Sequence, residues 1–364
     1  MAFAQGNKDI QLKNKEVYLE GLKILNEQII DMEIYFDINK TYTSGNMSFR
    51  DVTGMSEKKS IITDSKLELA FKDCNDKEFK QTFSVTNVNF SDANNGEKLV
   101  ILEFLDTFTV KNMNTYKIKG FEQCTMKEVL ESCENFEEFE QDFDTPEQKY
   151  DNFIIPLDRP FSHVITYMKN TSNMLFFQTR DAYKLKEFTS LIQEPSNVVY
   201  KHSPDNPDYV YKIHEFIVKQ SDGMKVNALL PDSSHVSYDV LDKRKIYDDF
   251  KSEDYTEGMS LGDVFNETKS DKKHFVKTFY VKDSTIKNQF YKVLYNNYEL
   301  QMVVPGTLDT NIGDTVEIQI NSTSKDDDEK NINGDWIITK ITDKHLGDDF
   351  MQKIIVSRIK LGKA

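Results

Sequence analysis

Closely spaced carboxylates are the groups in this sequence that come nearest to a catalytic arrangement. A glycosidase needs two carboxyl groups about 5 to 9.5 Å apart, one of them with a raised pKa. The glutamates between positions 131 and 140 could supply such a pair, but apolar residues recur among them at spacings of three and four, which predicts a helix. The glutamates then share its polar face, which we interpret as a solvated or subunit-facing surface. They are Glu131, Glu134, Glu137, Glu138 and Glu140.

The metal-binding residue types show no ligand spacing. The histidines form no HExxH pattern, and the three cysteines match no zinc or redox motif. The acidic run at 325–330 lacks the alternation and the central glycine of an EF-hand loop, so we interpret it as a hydrophilic hairpin tip. We therefore expect no metal and no cofactor. The residues concerned are His163, His202, His214, His235, His274, His345, Cys74, Cys124 and Cys133.

Nucleophile and phosphate-binding motifs are also missing from the sequence. It contains no G-x-S-x-G, no Walker loop and no dinucleotide fingerprint. We interpret Gly313 and Gly334 as turn residues and not as part of a phosphate cradle. The sequence thus offers no credible catalytic set, and we expect a protein that is not an enzyme.

The composition favours a folded protein rich in β-structure. The chain has 364 residues, enough for two or three domains, and its aromatic fraction is 12%. The net charge of -15 disfavours binding to nucleic acid through phosphate neutralisation, but not passage of DNA without binding. The N-terminus lacks an apolar signal region, and no run approaches the roughly 18 apolar residues of a membrane span. We expect a soluble protein made in the cytosol.

Alternating apolar residues predict a series of strands in the first third of the chain. The alternation in residues 29–39 predicts one buried face formed by Ile30, Met32, Ile34, Phe36 and Ile38. The apolar phase slips between Val85 and Val88, which predicts a β-bulge. The run from Leu99 to Leu102 lacks alternation and predicts a strand buried on both faces.

The pattern then changes to mixed α/β. Thr125 and Glu128 form a predicted capping box, and the apolar periodicity behind them predicts a helix that extends to Phe143. A second helix is predicted near Pro160. The fold class is therefore mainly β with α/β insertions, and the series of strands in the first third is typical of a sandwich or a barrel. The predicted divisions are 1–121 (β), 122–200 (α/β insertion), 201–240 with 296–364 (second β-domain) and 241–295 (loop-rich and helical excursion). Within the excursion, 241–273 is predicted to be loop-rich and 286–295 to form a short helix.

The two predicted β-domains end in similar patterns. Residues 67–106 and 316–360 each contain an alternating strand, an aromatic-led strand and a final apolar strand. The alignment pairs Phe83 with Trp336, Val85 with Ile338, Val88 with Ile341, and Val100 with Ile354. Short strand patterns recur widely, so chance similarity is the alternative to duplication. If the repeat is real, each chain of an oligomer presents two similar modules around its axis.

The closing sequence contains a Gly-Asp turn, an aromatic residue after a second glycine, an apolar-Thr step, a histidine and a final apolar strand. The residues of this signature are Gly313, Asp314, Gly334, Trp336, Ile338, Ile341, His345 and Ile355. In these residues the sequence resembles the tube domain of baseplate hub proteins from contractile-tailed phages and of type VI secretion spike proteins, which implies two similar antiparallel β-barrel-like tube domains in one chain. The resemblance covers most of the chain in order, but 241–273 does not align, and Ala364 is not followed by the family's long tail.

The resemblance implies a structural protein of the virion, assembled in the host cytoplasm. It implies a homotrimer whose six tube domains join a hexameric tail tube to a trimeric spike, contact other baseplate proteins, and enclose a channel through which DNA passes without specific binding. Two alternatives remain at this point. One is a distal tail or tip protein of another phage tail type, and the other is a tail-associated cell-wall hydrolase.

Overall fold

A computed structural model describes most of the two predicted β-domains and parts of the segments between them. The described residues are 12–52, 54, 61–92, 98–116, 118–132, 140–143, 149–155, 160–171, 174–187, 191, 198–202, 211–220, 233–239, 244–250, 274–277, 298–320 and 332–358. The predicted helix at 286–295, the acidic run at 325–330 and most of the glutamate-rich segment lie outside these residues.

The structure is mainly β, as predicted. The N-terminal strands are β1 (Lys13–Leu19), β2 (Leu22–Ile24), β3 (Ile29–Asp37), β4 (Ser44–Asp51), β5 (Lys66–Lys72), β6 (Glu78–Asp92) and β7 (Lys98–Asp106). The middle strands are β8 (Lys119–Cys124), β9 (Glu140–Phe143), β10 (Tyr150–Ile155), β11 (Met174–Gln178), β12 (Ala182–Glu187) and β13 (Val199–His202). The later strands are β14 (Glu215–Gln220), β15 (Ser233–Asp239), β16 (Arg244–Phe250), β17 (His274–Lys277), β18 (Tyr298–Pro305), β19 (Thr315–Ile320), β20 (Gly334–Leu346) and β21 (Asp349–Arg358). The helices are α1 (Thr107–Met113), α2 (Met126–Glu131) and α3 (Phe161–Thr171).

One 13-stranded sheet unites the N-terminal and C-terminal strands. Its order is β14-β18-β21-β20-β3-β4-β7-β6-β5-β1-β2, with β19 on β20 and β13 on β19. One hydrophobic cluster runs along this sheet, and a second lies among β8, β11, β12 and the helices. No described helix is long and apolar enough to cross a membrane.

The buried face of the first strands differs from the prediction at two places. Met32, Ile34 and Phe36 are buried as expected, but Ile30 is exposed because a register shift between Ile29 and Asp31 turns it outward. Strand β7 is not buried on both faces. Its even-numbered residues from Val100 to Asp106 are buried while Ile101 is exposed, because only one face is covered.

The helical part of the insertion is shorter than predicted. The capping box is present, since the Glu128 amide donates to Thr125 Oγ1 at 3.3 Å and the Thr125 amide donates to the Glu128 carboxylate at 2.7 Å. Helix α2, however, ends at Glu131, and residues up to Phe143 include strand β9, which pairs in parallel with β12. Phe143, the last apolar residue of the predicted helix, lies in this strand, while residues 133–139 are outside the described part of the chain. The second helix begins at Phe161, next to Pro160 as predicted.

The interpretation of 241–273 as loop-rich is wrong over Arg244–Phe250. This segment is β16, which pairs with β15 along its whole length in a separate three-stranded sheet that includes β17. The charged sequence hid the strand because β16 has no clean apolar alternation.

Candidate assembly interface

Two groups of five strands repeat the same arrangement. Strands β3, β4, β7, β6 and β5 are neighbours in that order, and so are β14, β18, β21, β20 and β19. Every pair within each group is antiparallel. We name the first group the N-terminal copy and the second the C-terminal copy. A shared order of five strands is far more specific than a shared strand pattern, so the repeat is real at the level of topology.

The residue pairing confirms most of the alignment. Phe83 lies opposite Leu67 as Trp336 lies opposite Val316, which makes Phe83 and Trp336 equivalent. Val88 lies opposite Leu102, and Ile341 lies opposite Ile354. Ile354 therefore corresponds to Leu102 and not to Val100. A shift of two residues keeps every side chain on its own face, so the apolar pattern could not detect the error.

Both copies carry a β-bulge at the same place. The pairing of β6 with β7 shifts between Val85 and Asn87, and that of β20 with β21 shifts between Ile338 and Lys340. The slipped apolar phase predicted the first bulge correctly. The bulged residue is a threonine in each copy, Thr86 and Thr339.

The turn before β5 matches the turn before β19. The amides of Asp64 and Gly313 donate to the carbonyls of Val85 and Ile338 at 2.7 and 2.8 Å. Both residues have positive φ, +74° and +89°, so Gly313 is a turn residue as predicted, and its N-terminal equivalent is an aspartate. Sequence comparison missed this match because Asp64 replaces the glycine, although aspartate tolerates this conformation better than most residues do.

Strand β20 joins the two copies. Its first half pairs with β19, and its second half, Lys340 to His345, pairs antiparallel with Met32–Asp37 of β3. On the exposed face, Lys344 contacts Glu33 at 2.8 Å and Lys340 contacts Asp37 at 3.4 Å. We name this contact the intrachain junction. It places the copies side by side in one continuous sheet.

The predicted signature residues lie in and around this junction. Trp336 is buried, and its Nε1 donates to the Ile332 carbonyl at 2.8 Å. His345 is fully buried, stacked on Phe350 at 4.8 Å and edge-on to Phe71 at 4.7 Å. Burial lowers the pKa of His345 well below its usual value, and Lys15 and Arg180 lower this pKa further. Both residues are packed core groups. The others lie at the turn before β19 (Gly313, Asp314), in β20 (Gly334, Ile338, Ile341) and in β21 (Ile355). The interpretation of Gly334 as a turn residue is wrong, because it is the first residue of β20 and pairs with Ile318.

The same architecture occurs in solved phage tail proteins. A tail protein from Neisseria meningitidis MC58 matches with a TM-score of 0.63 and 10% identity, covering 96% of this chain and 98% of that one. The 43 kDa tail protein of prophage MuSo2 from Shewanella oneidensis matches with a TM-score of 0.64 and 9% identity, covering 95% and 98%. This chain has a phage tail protein fold.

The fold extends to a secretion apparatus. A type VI secretion component of Escherichia coli, described as structurally similar to the T4 tail proteins gp27 and gp5, matches with a TM-score of 0.53 and 7% identity, covering 93% of this chain and 76% of that one. No protein-family model and no curated protein sequence matches the chain. Because the sequence identities are only 7–10%, the similarity to tail proteins is a similarity of fold. The resemblance of the closing strands to the tube domain predicted this fold.

A buried ion pair that the sequence did not reveal holds the insertion to this tail-protein fold. Arg180, in the turn between β11 and β12, contacts Asp343 of β20 at 2.8 Å, and both side chains are buried. Gln352 donates to the same carboxylate at 2.8 Å. Residues 163 positions apart give no local pattern, so a sequence reading could not pair them.

Chemistry-bearing residues do not converge elsewhere in the described part of the chain. No group of three or more histidine, cysteine or acidic side chains there could hold a metal ion. Asp106 is the carboxyl with the most unusual environment, because burial raises its pKa to about 6. It caps α1 through the Thr109 amide at 2.8 Å and accepts from Tyr183 Oη at 3.0 Å, so its contacts are structural.

Proposed function

We propose that this protein is the structural hub of a contractile-tail baseplate, in which three chains form a ring with pseudo-sixfold symmetry. The observation that carries the proposal is the intrachain junction, which sets two equivalent copies side by side in one sheet. Three such chains present six similar modules, because a threefold axis repeats each copy three times. That ring can meet a hexameric tail tube on one side and a trimeric spike on the other.

The unequal packing on the two faces of the sheet supports an assignment of each face. One face packs against the large hydrophobic cluster and supports the insertion through Arg180, so it carries most of the bulk. Such bulk cannot fit inside a narrow ring. The other face, with the exposed side chains of β3, β7, β20 and β21, therefore lines the channel in our proposal.

The proposed channel face is much less acidic than the chain's net charge of -15 indicates. Each copy places both carboxylates and basic side chains on it. These residues are Asp31, Glu33, Asp37, Glu68, Glu78, Glu103, Arg50, Lys66, Lys72 and Lys80 in the N-terminal copy, and Glu215, Glu299, Glu317, Asp335, Lys219, Lys340, Lys344 and Lys353 in the C-terminal copy.

Charges of both signs therefore lie all around the proposed ring. Two of the lysines, Lys340 and Lys344, are already in ion pairs with carboxylates across the intrachain junction. A channel of mixed sign offers DNA phosphates no continuous cationic surface, which fits passage without tight binding.

The proposed partners are a second and third copy of this chain, a tail tube protein, a spike protein and other baseplate proteins in the virion. We propose a non-enzymatic role, since the described residues form a packed architecture. Peptidoglycan zymography tests that part, because clearing that disappears when an acidic pair is mutated would establish a hydrolase instead.

The mass of the purified chain in solution and images along the particle axis test the ring itself. We expect a mass of three chains, about 127 kDa from 42.4 kDa each, and a ring with six similar lobes. A chain that stays monomeric even with tube and spike partners present would overturn the proposal.

A further inference from the structure

The repeat gives every strand of the intrachain junction a counterpart in the other copy. Through the matched pairings, β20 corresponds to β6 and β3 corresponds to β14. Ile341 and Val88 are equivalent. Ile341 lies three positions after Ile338 and opposite Ile354, just as Val88 lies three positions after Val85 and opposite Leu102. Met32 and Phe216 are also equivalent. Met32 pairs with Met47, which pairs with Leu102. Phe216 pairs with Met302, which pairs with Ile354, the equivalent of Leu102.

The two counterpart segments do not meet each other within the chain. Among the described residues, β14 pairs with β18 alone, and β6 beyond Val85 pairs with β7 alone. Within the described part of the chain, the C-terminal copy therefore ends in an open strand edge at β14, and the N-terminal copy has a second open edge along the last part of β6. Unpaired edges of this kind are usually covered, because their free amides and carbonyls promote uncontrolled pairing.

Apolar side chains on these edges are exposed where their equivalents are buried. At the junction Met32 and Ile34 are 0% exposed and Ile341 is 1% exposed. Their equivalents Phe216, Val218 and Val88 are only partly buried, although they pack against the same hydrophobic cluster.

The next residue of the β6 edge, Phe90, is 52% exposed. The difference in burial follows from the neighbouring strand. At the intrachain junction a paired strand covers Met32, Ile34 and Ile341, whereas no paired strand covers their equivalents among the described residues.

We infer that β6 of one chain pairs antiparallel with β14 of a second copy of this chain, in the register of the intrachain junction. The register is obtained by replacing each residue of the junction with its equivalent in the other copy. Thr342 opposite Tyr35 becomes Asn89 opposite Lys219, Asp343 opposite Ile34 becomes Phe90 opposite Val218, and Lys344 opposite Glu33 becomes Ser91 opposite Ile217.

This pairing rests on the proposed ring and adds which edges close it. It covers both open edges and buries Phe90 beside Val218. Each chain carries one edge of each kind, so a neighbouring chain can supply the same contact at every step around the ring.

Disulfide formation between Asn89→Cys and Lys219→Cys tests this register. Both residues are exposed, so the substitutions leave the core unchanged. Directly opposed residues have Cβ atoms about 4.5–5.5 Å apart, close enough for a disulfide after a small adjustment. In the oxidised full-length chain we expect covalent dimers and trimers on non-reducing gels, and a ladder that stops at three chains.

The matched control combines Asn89→Cys with Glu215→Cys, which lies on the same face of β14 but four residues from Lys219. That offset adds about 13 Å along the strand, so no disulfide is expected. Variants with only one of the added cysteines keep the three native cysteines. They show whether any cross-link forms through a native thiol.

A second pair of variants tests the apolar part of the edge. Phe90→Asp should convert most of the ring to smaller species, while Ile154→Asp, at an exposed apolar residue of β10 in the separate two-stranded sheet, should leave the ring intact.

The outcomes separate this inference from the proposed function. A threefold ring that forms normally but gives no Asn89–Lys219 disulfide, or that cross-links equally in the Glu215 control, would overturn the pairing and leave the hub proposal standing. A disulfide within one chain would also overturn it, because the two edges would then meet in the same molecule. Absence of any ring would overturn the hub proposal itself.

Discussion

Thr86 and Thr339 occupy the same bulge in the two copies and make the same hydrogen bond. Each donates its hydroxyl to the carbonyl of the residue across the strand pair, Glu103 for Thr86 and Ile355 for Thr339, at 3.1 Å in both cases. Glu103 and Ile355 are themselves equivalent in the repeat. Two strands 253 positions apart thus share a register shift, a side chain and a contact. This agreement is detailed enough to exclude a chance likeness between two β-meanders.

Replacing either threonine by valine removes the hydroxyl and keeps the branched shape. We expect Thr339→Val to lower the free energy of unfolding by about 1–2 kcal/mol, because this hydroxyl is buried and also lies 3.2 Å from Ser357 Oγ. Thr86→Val should cost less than about 1 kcal/mol, because Thr86 is only half-buried. Urea denaturation measures both values. Thr342→Val, on the regular part of β20, is the control, and an equal loss there would show that the bulge contact contributes nothing.

Phe83 and Trp336 should be equally important to their own copies. Each fills the core at the same point of the repeat, and truncating a large buried aromatic residue to alanine costs about 3–5 kcal/mol.

Trp336 also provides a probe, since it is the only tryptophan. In Phe83→Ala, fluorescence of Trp336 should report one cooperative transition at lower denaturant, because β20 and β3 link the copies. Separate transitions by fluorescence and circular dichroism would show that the copies unfold independently.

The sequence supplied the strands of the repeat and the site of its first bulge because both depend on side-chain alternation, which is a local property. It could not supply the order of strands in the sheet. Neither the pairing of β20 with β3 nor the contact of Arg180 with Asp343 has a local signal, because the partners come from distant segments. The same limit explains the two-residue error at Val100, since alternation is unchanged by a shift of two.

Arg180 and Asp343 should stabilise the protein far more than the exposed pair beside them. Removing one member of a buried pair leaves an uncompensated charge, which costs about 3–5 kcal/mol. We expect this loss for Arg180→Met, with partial recovery in the double variant with Asp343→Asn. Lys344→Met breaks the more exposed contact with Glu33 and should cost less than about 1 kcal/mol. Denaturation of the three variants measures these values, and equal losses for Arg180→Met and Lys344→Met would contradict the assignment.

His345 should make the protein less stable in mild acid. Its pKa is lowered by burial and by Lys15 and Arg180, so the unfolded chain binds a proton more readily than the folded one. Stability should therefore be constant well above pH 6.5 and fall by about 1.4 kcal/mol per pH unit below it, until the folded pKa is reached.

His345→Phe removes this titration and retains the stacking on Phe350. The check is the unfolding free energy of both proteins between pH 5 and 8. If the two pH profiles are parallel, His345 is not the titrating group.

Asp106 should have the opposite pH dependence. Burial raises its pKa from the ordinary 3.8 to about 6, so the folded chain binds a proton more readily than the unfolded one between these values. Asp106 therefore favours the folded state fully below about pH 4, and this contribution is lost as the pH rises through about 6. In Asp106→Asn the contribution is absent, while the side-chain oxygen can still accept from Thr109 and Tyr183.

The difference in unfolding free energy between wild type and Asp106→Asn should thus change by up to about 3 kcal/mol from pH 4 to pH 8, to the disadvantage of wild type. Comparing the difference at several pH values cancels any constant cost of the buried amide group. Measuring both proteins in the His345→Phe background isolates Asp106 from the histidine, whose titration has the opposite sign. A difference that does not vary with pH would mean that Asp106 stays ionised in the folded protein, with Tyr183 and Thr109 compensating for its burial.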